Sequence, residues 1–136
     1  MSDVFLLGAG FSRALSRDMP LLRQLGRQAI DRLADERTFG SRSKRHAPMV
    51  ERMLRRMNGD IEQVLSYLAN AAPWQTEAAT LEERAAFIDM QRAIAEVIES
   101  SERRALGALG QPWMKKLVSR WHVHRSPVLT LNYDTL

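Results

Sequence analysis

Two short stretches, one near each end of the chain, carry the groups that can hold and act on a nucleotide. The first is Gly8-Ala9-Gly10-Phe11-Ser12, directly after the apolar run Val4-Phe5-Leu6-Leu7. Four apolar residues in a row read as a strand buried on both faces, as in a parallel sheet. Glycines in the turn that follows leave room for a ligand to approach the backbone. Ser12 is placed to cap the next helix by accepting from a free backbone N–H. Strand, glycine turn and helix start would bring free N–H groups to one point, which suits a phosphate. Two familiar phosphate signatures are absent at this position. Arg13 stands where the third glycine of Gly-x-Gly-x-x-Gly would fall, and no Gly-Lys-Ser/Thr follows.

The second stretch is Pro127-Val128-Leu129-Thr130-Leu131-Asn132-Tyr133-Asp134. It is again a short apolar run that ends in polar groups, here an amide and a carboxylate. An oriented amide can place a water, and a carboxylate favours developing positive charge. Two parallel strands joined by a long helical connection imply an open α/β sheet. In such sheets ligands bind at the carboxyl ends of the strands, so both stretches are expected to line one crevice. The fold expected is therefore α/β, a Rossmann-like open parallel sheet with a large helical insertion over about 20–122.

These motifs carry a resemblance. Gly8-Ala9-Gly10-Phe11-Ser12 resembles the nucleotide loop of the sirtuin superfamily. Thr130-Leu131-Asn132-Tyr133-Asp134 resembles that family's second motif in the form carried by sirtuin-like NAD hydrolases. Between them, Asp60-Ile61-Glu62-Gln63-Val64-Leu65 is similar to a helix start found in that branch. The resemblance implies NAD as substrate, with Gly8, Ala9, Gly10, Phe11, Ser12 and Thr130 holding it. It implies that Asn132 positions the ribose or the attacking water and that Asp134 lies near the nicotinamide amide. The bond from nicotinamide to ribose would break through an oxocarbenium-like state, leaving nicotinamide and ADP-ribose. It also implies a role in bacterial defence against phage and action as a homo-oligomer.

Two departures shape that expectation. Deacylating sirtuins carry glutamine before the asparagine, where this chain has Leu131. That leans toward NAD hydrolysis over NAD-dependent protein deacylation. The family's catalytic histidine follows the asparagine motif, whereas His122 and His124 precede it and do not match. The 136 residues are accordingly read as the N-terminal portion of a single sirtuin-like NAD-binding domain, its C-terminal segment missing. A non-catalytic nucleotide-binding or interaction module is the reading from another class.

Composition bounds these readings. A chain of 136 residues suits one core. No apolar window approaches the length that spans a bilayer, and no signal peptide opens the chain, so no membrane partner is expected. Cysteine is absent, which removes disulfides and thiolate metal sites and points to the cytoplasm. The net charge of +4 fits an anionic ligand. His122 and His124 are spaced for one face of a strand, but no third ligand is evident and no metal is expected.

The intervening chain reads as helices. Leu22, Leu25, Ala29 and Leu33 recur at helical spacing from Pro20 to about Glu36. Residues 38–48 read as a solvated, mobile loop. With Arg52, Arg55 and Arg56 this is the most basic stretch, and it has no interleaved aromatic residue to stack a base, so nucleic acid is not expected. Pro48 to Met57 reads as a short helix stopped by Asn58-Gly59, with Asp60 capping the next and Gln63 completing a capping box. Thr80 and Glu83 are read as the start of a long helix packed on two sides. Pro112 opens another helix with Trp113, Leu117 and Trp121 one turn apart.

Overall fold

The structure, a computed structural model, describes residues 4–70, 72–107 and 112–131. These residues are 74% helical, with seven helices and one two-stranded parallel sheet. The chain is therefore not a Rossmann-like α/β fold. The reason lies in the periodicity between the two apolar runs, which is helical almost throughout. Helices so arranged bury their stripes on one another and have no wide sheet to layer on. The two strands are not buried on both faces either. Val4, Leu6, Leu129 and Leu131 are all more than half exposed. The chain divides into two compact units, one of Leu22–Val97 and one of Met1–Leu21 with Ile98–Leu136.

The Leu22–Val97 unit is helix on helix. It holds α2 (Leu22–Ala34), α3 (Glu36–Lys44), α4 (Ala47–Arg56), α5 (Ile61–Ala69) and the first part of α6 (Glu77–Gly107). Leu33, Val50, Ile61, Val64, Leu68 and Met90 are the large residues at its centre. Gly26 sets the spacing of α2. A Cβ there would lie 3.2 Å from the Ile61 Cβ and 3.4 Å from both Leu54 methyls. A side chain is missing at that point because α4 and α5 fill its place.

The turn from α4 to α5 follows directly from its residues. Asn58 takes a left-handed φ of 56°, which asparagine tolerates. The Gly59 N–H donates to Leu54 O and the Asn58 N–H to Arg55 O, satisfying the last carbonyls of α4. Asp60 then caps α5, accepting from the backbone N–H groups of Glu62 and Gln63. Gln63 closes the box differently from expectation, donating from Nε2 to the Asp60 carboxylate at 2.9 Å.

Three expectations are corrected in this unit. Residues 38–48 are not a loop but α3 and the start of α4, kinked where Gly40 adopts φ 75°. Asp35 caps α3, and the Arg92 guanidinium sits 5.3 Å over the Phe39 ring, so this basic segment is tied down locally. The long helix begins at Glu77, and Thr76 rather than Thr80 accepts from its first turn. Glu83 instead accepts from Gln75 Nε2. Finally, α6 buries one narrow stripe, Ala86, Met90, Ala93 and Val97, while Leu81 and Ile88 stay exposed. Alanine at two of those positions lets α6 sit close, a signal that large-residue periodicity overlooks.

Replacing Gly26 with valine is expected to lower unfolding free energy by about 1–3 kcal/mol, because an extra side chain must displace Ile61 or Leu54. Urea denaturation followed by circular dichroism measures it.

Candidate functional site

The candidate site falls in the other unit, around two three-residue strands. β1 (Phe5–Leu7) pairs in parallel with β2 (Val128–Thr130), matching Phe5 to Val128, Leu6 to Leu129 and Leu7 to Thr130. The Phe5 N–H donates to Pro127 O at 2.9 Å and the Leu131 N–H to Leu7 O at 3.0 Å. In a parallel pair both strands end at the same edge. Leu7 and Thr130, the last residues of the two strands, therefore stand side by side, with the glycine turn following the first of them.

The turn itself differs from expectation in one respect. Gly8, extended at φ −121°, is the residue before α1 (Ala9–Leu15), so the helix starts earlier than Ser12. Ser12 lies inside α1, 1% exposed, and does not cap it. No side chain caps α1, and its first turn holds no acid. The Phe11 N–H donates to Gly8 O at 2.8 Å, closing the turn. A Cβ added at Gly8 or at Gly10 would meet nothing within 4 Å, and neither residue has a positive φ. Neither packing nor backbone conformation thus demands glycine at these positions. What glycine supplies is open approach to the main-chain N–H groups of the turn.

Side chains behind the turn fix it. The Phe11 ring lies 6.4 Å from Trp113, edge to face, and 6.0 Å from Trp121, while Phe5 lies 5.5 Å from Trp121. These are favourable aromatic geometries. They pin β1 and α1 to α7 (Pro112–His124). The Trp121 Nε1 is buried without a hydrogen-bond partner among the described residues. Arg13, at the place of an absent third glycine, donates to the carbonyls of Arg17 and Met19 and so closes the loop after α1. The tryptophan stripe was legible as helical spacing; its partnership with Phe5 and Phe11 was not, since those residues lie a hundred positions away.

The remaining sequence-derived residues fall as follows. Thr130 ends β2 opposite Leu7. Asn132 and Asp134 lie outside the described residues. His122 and His124 are not on a strand but in the last turn of α7, where residues two apart do not share a face. That helix ends at Arg125, with φ 50°, and feeds the amino end of β2. Both histidines thus precede the strand, away from its carboxyl edge. His46 belongs to the helical unit. It is 6% exposed, and its Nδ1 lies 2.9 Å from Oδ2 of the half-buried Asp89, a polar pair joining the start of α4 to α6. This pair was missed because nothing in the sequence links positions so far apart. Among the described residues no group of three histidines and carboxylates gathers as a metal site would require. Among the described residues no helix is long and apolar enough to cross a membrane.

Comparison with known proteins finds no matching family model, no similar curated protein and no similar solved structure.

Two substitutions check this geometry. Gly10→Ala is expected to keep the fold and to stabilise it by up to about 1 kcal/mol, since it sits in a helix with free space around it. Asp89→Ala is expected to cost about 1–3 kcal/mol by leaving the buried His46 ring without its partner. Thermal denaturation of each variant gives both numbers.

Proposed function

We propose that this chain binds NAD at the carboxyl edge of the β1–β2 pair and hydrolyses it to nicotinamide and ADP-ribose. One observation carries the reading. β1 and β2, whose carboxyl ends adjoin in sequence the two stretches that resemble the sirtuin-like nucleotide motifs, pair in parallel and in register, so those strand ends share one edge. The diphosphate would sit against the uncapped N–H groups at Gly8-Ala9-Gly10, over glycines that leave the approach open. A seven-residue helix adds little dipole, so the turn's own donors would do the holding.

The chemistry rests on Asn132 and Asp134, which follow Leu131 in sequence. Cleavage breaks the ribose C1′–nitrogen bond. Its electron pair leaves with nicotinamide, and C1′ takes on oxocarbenium character. Water then bonds to C1′ and gives up a proton. Asn132 is assigned to orient that water and the ribose, and Asp134 to favour the developing positive charge.

A second reading is a nucleotide-binding module that does not cleave its ligand. The positions of His122 and His124 favour it, because both lie at the end of α7 that leads into the amino end of β2 and neither stands at its carboxyl edge.

Nicotinamide release from NAD by the purified chain, resolved by chromatography, separates the readings when run beside calorimetric NAD binding. Hydrolysis predicts release that falls at least a hundredfold, to order of magnitude, in Asn132→Ala, with binding retained. Gly8→Val is expected to lose binding and release together, with unchanged thermal stability. Binding without release selects the module. No binding by the native chain rejects both.

A further inference from the structure

Charge in the Leu22–Val97 unit is strongly divided. From Leu22 to Gly59 there are ten arginine and lysine residues against four carboxylates. From Asp60 to Val97 there are two against seven. The acidic half is partly consumed where it stands. Asp60 caps α5, Glu83 holds Gln75 and Asp89 holds His46. The basic half is consumed only in part, by Lys44 with Glu36 and Arg55 with Glu51. Arg23, Arg27, Arg52 and Arg56 are exposed and have no ion-pair partner among the described residues.

The fold gathers these groups. The missing side chain at Gly26 brings α2 against α4. The Arg23 stem lies 3.8 Å from the Cβ position of Gly59, just past the end of α4. Arg27 and Arg55 line one groove of about 370 Å³ with Ile30 and Leu54, and its other walls are Asp31 and Glu51. The helices thus run antiparallel, with Arg23 and Arg27 beside the C-terminal turn of α4. Arg52 and Arg56 stand one turn apart on α4, outside the lining of that groove and exposed beside it. One end of the α2–α4 face is arginine, and the carboxylates Asp31 and Glu51 lie toward the other. Glu51 is occupied by Arg55.

We propose that this arginine end of the α2–α4 face docks the phosphate backbone of a nucleic acid. Guanidinium groups on two packed helices are held at fixed separations, unlike those of a loop, and each offers a forked donor to phosphate oxygens. With no aromatic residue among them, the contact reads backbone rather than base. Charge complementarity selects a polyanion, because Leu22–Gly59 carries ten basic residues against four carboxylates.

The test is fluorescence anisotropy of the full chain with a labelled duplex DNA of about 20 base pairs and an RNA of about the same length, between roughly 50 and 200 mM salt, where counterion release is resolved. Binding to either nucleic acid is expected to weaken with salt at a log–log slope of roughly −3 to −4, for about four phosphates neutralised. Arg27→Gln/Arg52→Gln/Arg56→Gln is expected to weaken it at least tenfold and to flatten the slope. The charge-matched Lys115→Gln/Lys116→Gln/Arg120→Gln, on α7, is expected to leave it unchanged. Equal losses in both triple variants, or no binding at the lowest salt, would overturn the proposal. So would a rise in mass by light scattering at low salt that the α2–α4 variant abolishes, since the face would then bind a second copy. NAD binding and release enter none of these readouts.

Discussion

Three backbone residues at each end of the chain must find one another before any site exists. β1 and β2 are separated by nearly the whole sequence, yet the carbonyl of Leu7 accepts from Leu131 and that of Pro127 from Phe5. Closing so long a connection costs little more than closing a moderate one, since the entropy grows only with the logarithm of length. Three residues of ladder are still too little to hold alone. The aromatic contacts of Trp121 with Phe5 and Phe11 supply what the ladder lacks, anchoring strand and turn to the helix that leads into β2. The candidate site is thus a consequence of strand pairing plus one aromatic cluster.

Glycine does two different jobs in this chain. At Gly26 the missing side chain is a packing requirement, because Ile61 and Leu54 fill the space. At Gly8 and Gly10 no neighbour occupies it. The same residue type therefore marks a crowded helix crossing in one unit and an open backbone surface in the other. Only the second is a place where a ligand can meet main-chain donors.

Much of the local structure was legible in the sequence. The parallel relation of the two apolar runs, the Asp60 cap, the Asn58-Gly59 stop and the helix that Pro112 opens all follow from residue-level chemistry. The sheet's extent was not legible. Val4 to Leu7 looks like an interior strand, yet Leu6 faces outward at 64% exposure. An apolar run reports what a strand would bury, not whether a second layer lies over it. Residues 38–48 depart from expectation for a related reason. Glycine, serine and charge suggest a loop, but the Asp35 cap and the Arg92–Phe39 contact make a helix of much of it. Ser12 looked like a cap because serine favours that place, whereas the helix begins at Ala9 and buries it. Around the candidate site, the parallel pairing of the two strands was readable; the aromatic cluster was not, because it joins positions that sequence alone does not connect.

Amide hydrogen exchange with and without NAD tests the central claim most directly. If the turn after β1 and the chain after β2 form one ligand edge, NAD is expected to slow exchange together at residues 8–11 and 128–132, and to leave α2–α5 unchanged. Slowing confined to the helical unit, or at one strand end alone, would contradict it.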